Sequence, residues 1–186
     1  MLTTQELAEV PEAPTGIKAV PAGHGVALFS PSGGQKGPCG LSIKIHVDRK
    51  TIASGAGREF ESDSLSGYQY VIDLPGTEAS GFLTAWQKQL HPGCPAYTST
   101  NPNGQVETTK LLSVLAIPSD VSQAAGSLEE VETGESSVGV YTFAFRMGRR
   151  LEMLALFVSQ PLSQTFGEGL VSLAESRLRA SKGAVA

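Results

Sequence analysis

The stretch Ser137–Pro161, SVGVYTFAFRMGRRLEMLALFVSQP, decides how the rest of the chain is arranged. Its first arm alternates between two sets of apolar residues: Tyr141, Phe143, Phe145 and Met147 on one face, and Val138, Val140 and Ala144 on the other. Its second arm, residues 151–158, is apolar at nearly every position. Period-two alternation is typical of a strand with one solvent-exposed face, and a continuous apolar run is typical of a strand buried on both faces. The sequence therefore predicts a central antiparallel hairpin over 137–159, turning at residues 147–150.

Two amphipathic segments predict helices that flank this hairpin. The first spans about 77–90, begins at Thr77 and ends before His91-Pro92-Gly93. Its apolar side chains recur at helical spacing, at Phe82, Leu83, Trp86 and Leu90. The second spans about 163–181 and begins with Ser163 as its cap. Glycines 167 and 169 weaken its first turns by about 1 kcal/mol each relative to alanine.

The remaining residues predict further short strands and turns. The strand candidates are residues 26–29, 41–47, 68–74, 94–100, 106–117 and, more weakly, 127–136. Residues 118–126 suit a short helix or a loop. Residues 58–66 are polar, and their secondary structure is ambiguous. Residues 1–25 are interpreted as a short helix, with a capping box at Thr3-Thr4-Gln5-Glu6, and a connector. Residues 26–182 are predicted to form a single α+β domain. Because helices are too few for regular β-α-β alternation, we expect an α+β fold built on an antiparallel sheet.

Composition narrows the function class. The net charge is −4, and no basic stripe is present, so the sequence argues against nucleic-acid binding. No apolar run approaches the length of a transmembrane helix, and the N-terminus lacks the basic start and apolar core of a signal peptide. The chain is therefore either cytosolic or a mature exported domain whose signal or anchor has been removed.

The two cysteines bear on that choice. Cys39 and Cys94 each lie in a loop rich in glycine and proline, and such a pair is more often a disulfide than two free thiols. Free thiols, and a zinc site completed by His46 and His91, are the alternatives. The spacing from Cys39 to His46 is longer than paired zinc ligands usually show, so no metal site is predicted.

A search for chemistry finds no catalytic residue and no cofactor motif. A third glycine is missing from each candidate phosphate loop, and no Gly-x-Ser-x-Gly nucleophile motif occurs. The carboxylates of Asp48, Glu59, Glu61 and Asp63 could converge for acid–base work, but charged residues beside strands are usually only solvated. Arginines 146, 149 and 150 cluster at the hairpin tip, where they could receive an acidic ligand. The tyrosines at 68, 70, 97 and 141 could line a pocket, although core packing is the commoner role.

With these residues in view, the chain resembles the PknH-type extracytoplasmic sensor domains of actinobacteria and related lipoproteins. The resemblance covers residues 38–181 and rests on Cys39, a helix with Ala79, Phe82 and Trp86 leading to Cys94, the hairpin at 141–149 and the closing helix. It implies an antiparallel sheet flanked by helices, export across the membrane, and a groove for an unidentified ligand. Sensor domains of this type that belong to kinases usually carry four cysteines in two bridges, whereas this chain has two, which favours a free-standing lipoprotein.

These observations lead to three hypotheses. The first is an exported, extracytoplasmic, non-enzymatic domain, held to the membrane by a removed N-terminal anchor, that binds a small molecule, lipid or envelope component. Its groove would lie beside a flanking helix, near Tyr70, Trp86, Tyr141, Arg146 and Arg149. The second is a protein–protein interaction module of an envelope complex, with an exposed apolar patch. The third is an envelope hydrolase, which requires a base within hydrogen-bond reach of a serine or cysteine.

Overall fold

The computed structural model describes residues 2–21, 56–73, 78–90, 96–100, 103–115, 123–147, 150–159 and 163–183. Eight strands within these ranges form one antiparallel sheet: β1 (Lys18–Pro21), β2 (Ala56–Glu61), β3 (Leu65–Asp73), β4 (Ala96–Thr100), β5 (Val106–Val114), β6 (Gln123–Thr133), β7 (Ser136–Met147) and β8 (Arg150–Val158). Their spatial order is β1-β2-β3-β8-β7-β6-β5-β4. Three helices accompany the sheet: α1 (Thr4–Ala8), α2 (Glu78–Gln89) and α3 (Gln164–Gly183).

The β7–β8 hairpin separates the two faces of the sheet. Tyr141 pairs with Leu156 on what we call the first face, and Ala144 pairs with Met153 on the second face. Each of these four side chains is almost fully buried, because helices pack on both faces. This two-sided burial explains why β8 is apolar at nearly every position.

The first face packs against α1 and α3. Leu7 and Val10 from the N-terminal segment join Phe166 and Leu170 of α3 in one apolar cluster with the β7 aromatics. Gly169 lies where these two segments meet, since a Cβ built there would be 2.7 Å from Cγ1 of Val10. The glycine that weakens α3 locally is therefore required for its close approach to the N-terminal segment.

The N-terminal segment is joined to the sheet by buried and partly buried hydrogen bonds. The backbone N–H of Leu2 donates to Oε1 of Gln69 at 2.7 Å, and Nε2 of Gln69 donates to Oε1 of Glu152 at 2.6 Å. The guanidinium of Arg58 donates to the Leu2 carbonyl. The capping box of α1 is confirmed. The predicted connector after α1 contains β1, which pairs with β2.

Helix α2 covers part of the second face. Leu83 and Trp86 pack on Ile72, Leu151 and their neighbours at one end of the strands. Side-chain amides fix this helix to β6: Nε2 of Gln87 donates to the Ala124 carbonyl at 2.7 Å, and Nε2 of Gln123 donates to the Ser80 carbonyl at 3.2 Å. The rest of this face carries the candidate site described below.

The structure confirms the antiparallel sheet and fits an α+β or mainly-β class, but it corrects the description as a central hairpin flanked by two helices. The hairpin is two strands of an eight-stranded sheet that also includes strands the sequence did not predict. Strand β2 was missed because it has a single large apolar residue, Phe60, which is fully buried. The start of β6 was predicted as helix or loop, since Ala124, Ala125 and Gly126 have low strand propensity.

Several predictions lie outside the described residues: the strands at 26–29 and 41–47, the cysteine pair Cys39 and Cys94, and Arg149. Within the described ranges, no helix combines the length and apolar character needed to cross a membrane.

A candidate ligand pocket beside the second helix

Helix α2 covers the second face at one end of the strands. A cavity lies on the same face, towards the other end of these strands. Its floor is set by register: Glu59 lies opposite Tyr68, and Glu61 lies opposite Ser66, which in turn lies opposite Phe157. The cavity has a volume of about 200 Å³. We call it the β2–β3 pocket, and it is lined by Glu59, Phe60, Glu61, Ser66, Gly67, Tyr68, Tyr70 and Phe157.

Three aromatic rings form one wall of the β2–β3 pocket. The ring centroids of Tyr68 and Tyr70 are 5.4 Å apart, and those of Tyr68 and Phe157 are 6.1 Å apart. Both pairs are tilted, at 51° and 45°, as is usual for aromatic contacts in proteins. The three side chains come from two neighbouring strands and point to the same face because they occupy alternate positions.

The hydroxyl of Tyr70 is buried and has no hydrogen-bond partner in the described part of the chain. The residue is only 4% exposed, and burying such a group without a partner costs about 1–3 kcal/mol. Burial and, secondarily, the Glu59 carboxylate raise the pKa of Tyr70 to about 12. The hydroxyl therefore stays protonated at physiological pH.

The charged groups of the β2–β3 pocket are carboxylates. Of the described residues that line it, Glu59 and Glu61 are charged and none is basic. Lys18, which is exposed, lies opposite Glu61 on β1, and Val20 lies opposite Glu59. Burial, followed by the neighbouring Tyr70, raises the pKa of Tyr68 to about 12, so this phenol also remains neutral.

A second polar group lies on the same face, on strands β4 to β6. The hydroxyl of Ser127 donates to Oε1 of Glu129 at 2.9 Å, and burial raises the pKa of that carboxyl despite this hydrogen bond. Burial, together with the charge of Glu129, raises the pKa of Tyr97 to about 12. A serine beside a carboxylate meets the hydrolase requirement in outline, but Ser127 is fully buried and does not line the β2–β3 pocket. The Ser127 hydroxyl instead gives the buried carboxyl of Glu129 a hydrogen-bond partner.

No metal centre is formed by the residues that the structure describes. Among them, no group of three or more His, Cys, Asp or Glu side chains lies close enough together to hold an ion.

The structure separates the residues predicted to surround a groove. Tyr70 lines the β2–β3 pocket, and Trp86 of α2 belongs to the same apolar cluster. Tyr141 lies on the opposite face, with its hydroxyl bound to the backbone of Ser163. Arg146 lies near the far end of β7, where its Nε donates to Gln123 at 3.1 Å.

Other pocket residues were not assigned to a ligand site by the sequence. Glu59 and Glu61 were considered only as carboxylates for acid–base chemistry. Phe157 belongs to the apolar run of β8 and looks like any core residue. The signal in the sequence that could have indicated this site is the period-two alternation, which places Tyr68 and Tyr70 on one face of their strand. The pairing of β3 with β2 then brings Glu59 to the same face.

Comparisons with known proteins agree with the fold. No protein-family model matches the chain, and no curated protein matches its sequence. Among solved structures, the chain is similar to the extracellular domain of PknH from Mycobacterium tuberculosis, with a TM-score of 0.61. The match covers 95% of this chain and 91% of that one at 13% sequence identity. The two proteins therefore share a fold, as the resemblance in the sequence predicted.

Proposed function

We propose that this protein is an exported, non-enzymatic sensor-type domain that binds a small ligand group in the β2–β3 pocket. The observation that carries this proposal is the β2–β3 pocket together with Tyr70 in its wall, whose buried hydroxyl has no hydrogen-bond partner among the residues that the structure describes. Buried polar groups in native proteins are almost always hydrogen-bonded, and exceptions call for an explanation such as a missing ligand. A ligand that hydrogen-bonds to Tyr70 would supply that partner.

The volume of the cavity limits the size of the ligand that it can bind. Pockets for drug-sized ligands usually measure about 300–1,000 Å³, and the β2–β3 pocket is smaller, at about 200 Å³. It therefore suits a small molecule, or one chemical group at the end of a lipid or envelope component.

Export is supported by the shared fold with an extracellular domain. The same proposal includes a lipoprotein anchor and a disulfide between Cys39 and Cys94. The disulfide is expected because cysteines in glycine- and proline-rich loops of an exported protein usually pair. Intact mass measured before and after alkylation without reductant tests the disulfide. Two alkylated thiols in the native protein would contradict it.

Ligand binding is tested with a fragment library screened by ligand-observed NMR. Ser66→Leu fills the pocket, and Ser172→Leu makes the same chemical change at an exposed position of α3. We expect fragments that bind the unmodified protein to lose binding to Ser66→Leu and to keep it with Ser172→Leu. Fragments that bind both variants equally, or a library without any binder, would contradict a pocket function.

The interaction-module hypothesis has one supporting observation, the exposed apolar side chains of β5. Val106, Leu112 and Val114 are 63%, 50% and 51% exposed. However, Val106 and Val114 lie at opposite ends of the strand, and by register they point to opposite faces of the sheet. They do not form one contiguous patch, so ligand binding is the better-supported function.

A further inference from the structure

We propose that Asn103 is a site of covalent modification. Its side-chain amide is converted to a carboxylate by spontaneous deamidation, through a cyclic imide formed with the backbone nitrogen of Gly104. The reaction consumes water, releases ammonia and requires no cofactor. It takes place in the loop between β4 and β5, so it is independent of the β2–β3 pocket and of the proposed ligand-binding function.

The residue that follows each asparagine separates the two asparagines of the chain, Asn101 and Asn103. In the first step of deamidation, the backbone nitrogen of the next residue attacks the side-chain carbonyl carbon. Gly104 has no side chain to hinder this attack. Asn101 precedes Pro102, whose nitrogen carries no hydrogen to lose. The sequence therefore makes Asn103 the reactive asparagine.

The conformation of the loop differs from the tight turn that Asn-Gly usually forms. Between paired strands this dipeptide favours a two-residue type I′ turn, with positive φ at both central residues. Here β4 ends at Thr100 and β5 begins at Val106, so a longer loop connects them. Gly104 has a φ of 80°, but the φ of Asn103 is not positive. The pair is therefore not held in a type I′ turn.

The surroundings of Gly104 leave room for the reaction. Asn103, Gly104 and Gln105 are exposed. A Cβ built on Gly104 would have no heavy atom within 4 Å among the residues that the structure describes. Glycine adopts negative and positive φ about equally well. The peptide group between Asn103 and Gly104 can therefore rotate until its nitrogen reaches the amide carbon, and water can reach the imide.

The chemical steps balance without an oxidant or a reductant. The Gly104 nitrogen loses its proton to solvent and forms a bond to Cγ of Asn103. The bond from Cγ to Nδ2 breaks, and Nδ2 takes up a proton and leaves as ammonia. Water then opens the imide at one of its two carbonyl carbons. Attack at Cγ gives an aspartate, whereas attack at the backbone carbonyl carbon gives an isoaspartate.

Both products change the end of the sheet at which this loop lies. The new carboxylate makes the net charge of −4 one unit more negative. It appears at an end that already carries Glu107 at the start of β5 and Glu135 in the turn between β6 and β7. Isoaspartate also adds a methylene to the main chain of the loop. Since β4 is the last strand in the described sheet order and pairs there with β5, the hairpin of β4 and β5 should loosen first.

The test is incubation of the full chain at pH 6 and at pH 8 over several weeks. Anion-exchange chromatography separates the more acidic form, and peptide mass spectrometry with electron-transfer fragmentation locates aspartate and isoaspartate. We expect both products at Asn103, at least tenfold more than any product at Asn101. The rate should be higher at pH 8, because base removes the proton of the attacking nitrogen.

The variant Asn103→Gln keeps an amide but lengthens the side chain, so imide formation is slowed and the acidic form should not accumulate. A second comparison uses the unmodified chain unfolded in urea. We expect the folded chain to react at Asn103 within about tenfold of the unfolded rate, since the loop is exposed. Reaction in the unfolded chain alone would overturn the proposal, because the fold would then protect the site. Equal reaction at Asn101 and Asn103, or an acidic form that persists in Asn103→Gln, would also overturn it.

Discussion

The hydroxyl of Tyr141 makes two hydrogen bonds to the backbone of a single residue, Ser163. It donates to the Ser163 carbonyl at 2.8 Å and accepts from the Ser163 N–H at 2.9 Å. Ser163 is the cap of α3, because its own hydroxyl accepts from the N–H of Phe166 at 3.2 Å. The ring of Tyr141 also meets Phe166 edge-to-face, with centroids 5.0 Å apart. One core side chain of β7 thus holds the start of the last helix.

Tyr141→Phe should destabilise the protein. It removes two hydrogen bonds, each worth about 0.5–1.5 kcal/mol net, so the free energy of unfolding should fall by about 1–3 kcal/mol. Urea denaturation followed by circular dichroism measures this change. An unaltered midpoint would show that the contact with Ser163 contributes nothing to stability.

Tyr70→Phe should have the opposite effect on stability. The Tyr70 hydroxyl is buried without a partner in the described part of the chain, so its removal should leave the free energy of unfolding unchanged or raise it by about 1–3 kcal/mol. The same urea experiment compares the two variants. If ligand binding depends on this hydroxyl, the variant should also bind pocket ligands more weakly. A loss of stability as large as that of Tyr141→Phe would mean that the Tyr70 hydroxyl is satisfied.

Two glycine substitutions in helices should differ in sign. Gly81→Ala places a Cβ with no atom within 4 Å, so the gain in helix propensity should stabilise the protein by up to about 1 kcal/mol. Gly169→Ala places a Cβ 2.7 Å from Val10 and 3.1 Å from Pro11, so the N-terminal segment must move. We expect the second variant to be less stable than the unmodified protein in thermal denaturation. Equal stabilisation by both would show that the contact between α3 and residues 10–11 is loose.

Glu129 should make stability depend on pH. Burial raises the pKa of this carboxyl above its ordinary value of 4.5, so the folded state binds more protons than the unfolded state between that value and the raised pKa. The free energy of unfolding should therefore fall as pH rises through this window, and stay lowered above it.

The Glu129→Gln variant tests this dependence, since it keeps an acceptor for Ser127 without a titratable group. Urea denaturation of both proteins at intervals from pH 4 to pH 8 gives the comparison. We expect the variant to gain stability relative to the unmodified protein as pH rises, with little difference near pH 4. A difference that is constant across this range would contradict a raised pKa.

Local features were predictable from the sequence because they depend on near neighbours in the chain. Alternation and continuous apolar character identified the β7–β8 hairpin, and capping residues located α1 and α3. The approximate span of α2 followed from its apolar spacing. These signals sufficed for an α+β fold with an antiparallel sheet.

The pocket was not predictable, because it depends on which strands pair and in what register. Tyr70 and Tyr141 look alike in the sequence, as tyrosines on apolar strands, yet they lie on opposite faces of the sheet. A shift of one residue in the pairing of β2 with β3 would have turned Glu59 away from Tyr68.

The sequence by itself therefore determined the class of fold, its principal hairpin and the places where its helices begin. Only the tertiary structure decided that Glu59, Tyr68, Tyr70 and Phe157 share a cavity. It also decided that the Tyr141 hydroxyl is hydrogen-bonded, whereas the Tyr70 hydroxyl has no partner within the described ranges. The physical reason is the distance along the chain over which each interaction acts. Periodicity and capping depend on residues a few positions apart, whereas strand order and register depend on burying both faces of the sheet by residues far apart in the sequence.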